Sequence, residues 1–435
     1  MHLNLKEMAS MKRCVATALL FVGVFVFCVL AAWSGETAAA ELPSPKVPDG
    51  LGINIHFTDP QPGEMDMLAA AGYRWVRMDF VWGAMESEKG VYDFGPWDRL
   101  MDTLEQYHMR PIFIFDYSNP NYDNDLSPCS DEGRAAFTKW AVAAAHHFRG
   151  KGIIWEMYNE PNLKTFWRPK PDVQEYIKLA LTVGKALREA EPDELFVGPA
   201  TSRIDVVFLE ECFKAGLLEY WSAVTVHPYR YRDPETVAVE YDRLKQLIEK
   251  YAPQGKKIPI LSAEWGFSSA WPNHDDVKQG RMMAREMLTN WANGIPLSIW
   301  YDWHDDGEDV KEYEHHFGTV YFPYDADQKP VYQPKPAYLA AQTFAQTLNG
   351  YQFKERLATP NASDYVLVFT KGNDVCWVAW TVSSLPSTVT IPTAPGQYQA
   401  VTHTGDVLPP VKANADGLSV VVGDAPIYLK PEPAK

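Results

Sequence analysis

Cysteine is scarce, with five in 435 residues. Cys14 and Cys28 fall in the leading segment, which leaves Cys129, Cys212 and Cys376. Three cannot all pair within one chain, and none stands in a Cys-x-x-Cys, so no zinc ribbon or dithiol redox motif is expected. One bridge, Cys129 to Cys212, stays open. A surplus of positive charge is also missing. With 40 Lys and Arg against 56 Asp and Glu the net charge is −16, which argues against nucleic acid and anionic membranes as partners. An acidic polysaccharide would need a local basic patch, and no strong one is present. No Gly-x-Gly-x-x-Gly follows the first predicted strand, which argues against a dinucleotide fold. There is no low-complexity tract.

Aromatic residues, by contrast, make up 13% of the chain. They serve either a large core or the stacking of sugars, whose C–H faces pack on Trp and Tyr rings. At the front, Lys12-Arg13 precede an apolar run from Cys14 to Trp33, and Ala38-Ala39-Ala40 offers a small-residue cleavage site. That pattern predicts a signal peptide over 1–40 and an exported mature chain, periplasmic or extracellular. The run is long enough to span a bilayer, so an uncleaved membrane anchor is the alternative.

From residue 51 the chain alternates short apolar runs with longer amphipathic ones, eight times over about 300 residues. Many of the short runs are apolar on both faces, as a parallel sheet covered by helices requires. The count predicts an α/β fold, a (β/α)8 TIM barrel over 41–349. After Gly350 the pattern changes to short alternating strands punctuated by Gly, Pro, Asn and Asp. This predicts a β-sandwich-like antiparallel domain over 350–435.

In such a barrel the C-terminal strand ends carry the site. They supply His56, Asp79, Asp116, Asn159, Glu160, His227, Tyr229, Glu264, Trp300 and Trp303. Glu160 ends the fourth strand in Asn159-Glu160-Pro161-Asn162, and Glu264 ends the seventh. Strands four and seven face each other across a closed mouth, and two opposed carboxyl groups are the equipment of glycoside hydrolysis. One protonates the departing oxygen and the other attacks the anomeric carbon. The attacking group must stay ionised. Arg77 is the candidate cation for it, or one half of a buried ion pair with Asp79 or Glu264. Tyr229 is placed to donate to Glu264, or to pack at a strand end. His227 either binds a sugar hydroxyl or is a satisfied core residue. Asp116 and Tyr117 are candidates for contact with the sugar, and Trp167, Arg168 and Lys170 for the leaving-group side. Glu156 reads as a structural contact. The stretch from His304 to His316, rich in His and acid, reads as a substrate loop, since its spacing matches no specific metal site.

These residues resemble clan A of the retaining glycoside hydrolases, family 39 first and family 5 second. Asn159-Glu160-Pro161 is similar to the clan's strand-four signature. The resemblance makes Glu160 the general acid/base and has Asn159 bind the substrate 2-hydroxyl. Ala263-Glu264-Trp265-Gly266 is similar to the strand-seven nucleophile, His227-Pro228-Tyr229 to the strand-six pattern, and Arg77 to the strand-two arginine supporting the nucleophile. Trp300 and Trp303 resemble the strand-eight platform under the reacting sugar. The resemblance implies a secreted retaining β-glycosidase acting on a poly- or oligosaccharide, with no redox cofactor and no metal. A glycan-binding scaffold without catalysis and a transglycosylase using the same residues are the competing functions.

Overall fold

The structure, a computed structural model, describes residues 41–432. The predicted targeting segment over 1–40 lies outside the described residues. Eight parallel strands close into a barrel in chain order. They are β1 Leu51–Asn54, β2 Trp75–Val81, β3 Arg110–Asp116, β4 Ile154–Met157, β5 Leu195–Ser202, β6 Ala223–His227, β7 Ile260–Trp265 and β8 Ser298–Trp300. A helix follows each strand, from Glu64–Ala71 after β1 to Pro336–Thr347 after β8.

The pleat divides every strand into two sets of side chains. On β2 the outward residue Phe80 stacks on Trp140 of the helix Asp131–His147 and on Phe113 of β3. The inward set begins with Trp75, which joins Ile112, Ile154, Val197, Ala223, Leu261, Leu297 and Ile299 in a cluster separate from the main core. Above that apolar layer the inward positions turn polar. Arg77 of β2 reaches past β3 to bond Glu156 of β4 at 2.7 Å. A contact that skips a strand is available only inside the closed barrel. Apolar base, polar middle and open mouth are therefore successive layers of the same alternation, and they place the chemistry at the strands' C-terminal ends.

The chain then forms a six-stranded antiparallel sheet, ordered β14-β13-β16-β11-β10-β9, and a two-stranded sheet of β12 and β15. Their ranges are β9 Gln352–Arg356, β10 Asp364–Lys371, β11 Asp374–Thr381, β12 Ser387–Ile391, β13 Gly396–Thr402, β14 Val407–Ala413, β15 Leu418–Val422 and β16 Ile427–Pro431. One face of the large sheet, with Val366, Ala379 and Leu429, packs on Val389, Ile391 and Val420 of the small one. The other, with Leu367, Phe369, Val378 and Trp380, belongs to the same core as the barrel's helices. Both faces of this sheet are therefore covered. Cys129 and Cys212 do not pair, and Cys376 is free as well. Cys212 is buried in the helix Val206–Lys214.

Candidate active site

The mouth of the barrel is a cleft of about 570 Å³. Asn54, Arg77, Asp79, Asn159, Glu160, Tyr229 and Glu264 line its floor and near walls. His56, Tyr117, Phe166, Tyr231, Trp271, Tyr301 and Phe317 line it further out, together with Arg203, Arg230 and Glu314.

The turn that carries Glu160 begins where β4 stops. Tyr158 and Glu160 both take left-handed backbone angles, φ 67° and 41°, a strained choice for residues other than glycine. The turn is held by bonds on either side. The Tyr158 N–H donates to Phe115 O at 3.1 Å, and the Glu160 N–H to Ala200 O at 3.0 Å. Pro161 cannot extend the strand, and Asn162 ties the loop to Ser202 O at 3.0 Å. Glu160 is 7% exposed. Burial, outweighing the hydrogen bond from Ser202 and the charge of Arg77, pushes its pKa up to about 7.

Arg77 is the hub of the polar layer. Its guanidinium donates from Nε to Glu156 at 2.7 Å, from Nη1 to Glu264 at 2.6 Å and to Asn54 at 3.2 Å, and from Nη2 to Asn159 at 2.9 Å. Burial works against its charge, but Glu156 and Glu264 prevail and raise its pKa. Glu264 takes a second donor, the Tyr229 hydroxyl, at 2.9 Å. Glu156, expected as a structural contact, is the arginine's second counter-charge.

His227 is wholly buried, and burial lowers its pKa to about 4, so the ring is neutral near pH 7. Its Nε2 lies 3.2 Å from Arg77 Nη2 and its Nδ1 lies 2.9 Å from Glu160 Oε1. A guanidinium only donates. Nε2 is therefore the acceptor, and Nδ1–H donates to Glu160. Among the described residues, Glu160, His227 and Glu264 are the trio close enough to share a cation, one donor atom of each lying within 4.8 Å of the others. They do not suit a metal. The His227 nitrogen on that side carries a proton, and Arg77 already occupies Glu264.

On the far side of the cleft His56 stands 3.4 Å from Asp302. Burial opposes a charge on His56, but Asp302, with Asp306 and Asp79 behind it, raises its pKa to about 9.

Of the candidates named from the sequence, Asn159, Glu160, Glu264, Arg77, Asp79, Tyr117, Tyr229 and His56 line the cleft, and His227 sits directly beneath. The others stand elsewhere. Trp300 and Trp303 are fully buried. The Trp300 ring faces away from the barrel interior and bonds Phe317 O at 3.2 Å, and Trp303 bonds Glu64 at 2.8 Å. Tyr301 holds the cleft wall in their place. Asp116 is wholly buried behind Asp79 and does not face the cleft. Trp167 packs between Tyr158 and Tyr176, and Arg168 pins Ser118. The adjacent Thr165 and Phe166 reach the cleft instead.

A model of glycosyl hydrolases family 39 matches residues 150–394. The chain is 30% identical over 148 residues to the beta-xylosidase of Geobacillus stearothermophilus; the match covers 29% of this chain and spans 27% of that protein's length. Among solved structures, a family 39 glycoside hydrolase from the gut symbiont Bacteroides cellulosilyticus WH2 superposes with a TM-score of 0.78 at 22% identity, covering 90% of this chain and 82% of that one. A family 39 beta-xylosidase from Caulobacter crescentus gives 0.64 at 19% identity, covering 91% and 98%. At these identities the superpositions speak to the fold.

Proposed function

The chain belongs to glycosyl hydrolases family 39, and from that premise we propose that it is a retaining β-glycosidase hydrolysing O-glycosidic bonds of a poly- or oligosaccharide. The observation that carries the reading is the carboxylate spacing. Oxygens of Glu160 and Glu264 lie within 4.8 Å across the mouth. Retaining enzymes hold their carboxyl groups roughly 5–5.5 Å apart, whereas inverting ones leave roughly 6.5–9.5 Å for a water.

Glu264 is the nucleophile. Arg77 and Tyr229 stabilise its negative charge, and it attacks the anomeric carbon as the bond to the leaving oxygen breaks. Glu160, its proton retained by burial, gives that proton to the departing oxygen. The ester on Glu264 removes a negative charge from the mouth, which favours ionisation of Glu160. Glu160 then takes a proton from water as the water attacks the same carbon, and the sugar leaves with its original anomeric configuration. Asn159, held by Arg77, is placed to bond the hydroxyl next to the reacting carbon. The same proposal includes export of the chain, supported by Lys12-Arg13, the apolar run and Ala38-Ala39-Ala40. N-terminal sequencing of the secreted protein tests it, and a start at residue 1 or retention in the membrane would count against cleavage.

The deciding experiment offers wild type, Glu264→Gln and Glu160→Gln a panel of 4-nitrophenyl β-glycosides, xylosides included, together with glucans, xylans and mannans. The first product is followed by proton NMR. Wild type should release the β-anomer first, and Glu264→Gln should lose several orders of magnitude in rate. Release of the α-anomer first, or full activity in Glu264→Gln, would overturn the assignment.

A further inference from the structure

The proposed mechanism leaves without work one acidic pair, Asp79 in the cleft lining and Asp116 buried behind it. Asp79 and Asp116 project inward from neighbouring strands. Asp79 is registered opposite Ile114, and Asp116 opposite Val81, so the two are diagonal neighbours on the same face. Asp79 lies two residues beyond Arg77 on β2, about 7 Å farther up the wall by the rise of a strand. It lines the same cleft as Glu264, the carboxylate Arg77 holds. Asp79 is half-buried and lines the cleft. The Tyr117 hydroxyl stands 3.4 Å from it. Asp116 is wholly buried, and among the described residues no N–H or hydroxyl donor reaches either of its oxygens. Burial, with the charge of Asp79 added, pushes its pKa well up. That favours the protonated carboxyl of Asp116 as a donor to Asp79, which would leave Asp79 an oriented acceptor facing the cleft.

A half-buried carboxylate in the cleft wall is costly unless something bonds it. Among the described residues, no basic side chain bonds Asp79 or Asp116 directly. The chemistry that satisfies an oriented carboxylate in the same cleft as the nucleophile is a sugar hydroxyl. We infer that Asp79, positioned by Asp116, accepts hydrogen bonds from a hydroxyl of the sugar whose anomeric carbon Glu264 attacks, and so selects the configuration of that sugar. The inference rests on the hydrolase reading proposed for this site. It also predicts a neutral sugar at this position, because a uronate carboxylate would meet Asp79 with like charge.

The test is a cycle between enzyme and substrate. Its probe is whichever 4-nitrophenyl β-glycoside of the xylose, glucose, mannose and galactose series wild type cleaves fastest, with its monodeoxy analogues. For one hydroxyl position, deoxygenation should lower wild-type kcat/KM by at least about tenfold. The same deoxygenation should cost Asp79→Asn much less. An equal loss in both proteins at every position overturns the inference. Asp116→Asn, which still donates to Asp79, should keep the wild-type pattern, whereas Asp116→Leu should raise KM more than it lowers kcat. Wild-type behaviour in Asp116→Leu removes Asp116 from the account. Where wild type cleaves neither these probes nor the glucans, xylans and mannans, the hydrolase reading fails separately. Calorimetric titration of the same glycosides into wild type and Asp79→Asn then decides: a deoxy penalty present only in wild type supports the binding role, and identical affinities or no binding overturn it.

Discussion

Arg77 Nη2 stands 3.2 Å from His227 Nε2, and this one contact sets the proton on the opposite side of the ring. The arginine that holds Glu264 thereby also fixes the donor to Glu160. Glu160 receives the Nδ1–H of His227 at 2.9 Å, a bond that favours its carboxylate form. Replacing His227 by Ala removes that donor, so the Glu160 pKa should rise and the alkaline limb of kcat/KM should move to higher pH. The rate of deglycosylation, where Glu160 must act as a base, should fall by about ten- to a hundredfold. His227→Asn, whose amide nitrogen takes the place of Nδ1, should recover part of both. An alkaline limb unchanged in His227→Ala would show that the bond does not tune Glu160.

Glu160 should itself set the alkaline limb. With its pKa raised to about 7 by burial, the protonated form needed for leaving-group departure is lost as pH climbs through that value. Below it the acid is present, so activity should not fall as pH drops through that value. In Glu160→Gln the limb should vanish. The loss should reach about 10²–10⁴-fold for glycosides with poor leaving groups and be far smaller for dinitrophenyl glycosides, whose departing oxygen needs no proton. Azide should restore turnover and yield a β-glycosyl azide. A variant with equal losses for good and poor leaving groups would take the acid role away from Glu160.

The same carboxyl group sets a pH dependence of stability. Its folded pKa lies above the 4.5 of the free side chain. Folding is therefore most favoured while Glu160 is protonated, below about pH 4.5, and that contribution is lost as pH rises to about 7. Glu160→Gln lacks this loss. The melting-temperature difference between variant and wild type should grow in the variant's favour from about pH 5 to about pH 8, by an amount equivalent to a few kcal/mol. A constant difference across that range would contradict the burial argument.

Much of this arrangement is legible in the sequence because barrel strands are apolar on both faces and end in polar residues. From that pattern alone Glu160 and Glu264 fall on opposite sides of the mouth. The same property hides the parity of β8. Leu297, Ser298, Ile299 and Trp300 are all buried, so composition cannot say which alternate set faces inward. The inward set is Leu297, Ile299 and Tyr301, and the platform expected from Trp300 and Trp303 falls to Tyr301. Two strands of the second domain are hidden for a different reason. β9 and β14 are the edges of the six-stranded sheet. Edge strands need no full apolar face, and β14 carries Pro409 and Pro410, which read as strand breakers but are tolerated where no partner waits on the outer side.

Arg77 should be irreplaceable by lysine. Its fork serves Glu156, Glu264, Asn54 and Asn159, and the arginine itself is buried. An ammonium is a single point that cannot span four partners in one plane. Arg77→Lys should lower both kcat and melting temperature. Arg77→Met should cost about 3–5 kcal/mol, because Glu156 is left charged and buried without a partner. Arg77→Met with Glu156→Gln should recover most of the stability and none of the activity, since Glu264 still lacks its cation. Recovery of activity in the double variant would mean that the arginine's role is only structural.

The β domain is joined to the barrel by a buried charge. Trp380 of β11 donates from Nε1 to Glu235 at 2.7 Å, and Arg285 holds both oxygens of the same carboxylate at 2.7 Å. Glu235 lies in the turn Pro234–Val237 after β6. The turn that leads away from His227 and Tyr229 is thus braced from the second domain. Trp380→Phe removes one bond while Arg285 still compensates the charge, which should cost about 1–3 kcal/mol. Arg285→Met leaves the charge to Trp380 alone and should cost about 3–5 kcal/mol. Because Leu367, Phe369 and Trp380 share a core with the barrel's helices, calorimetry should show one transition for the whole chain in wild type and both variants. A separate low-temperature transition in wild type would show that the sheet folds and melts by itself. The barrel truncated at residue 349 should then be soluble and active, whereas a shared core predicts that it is neither.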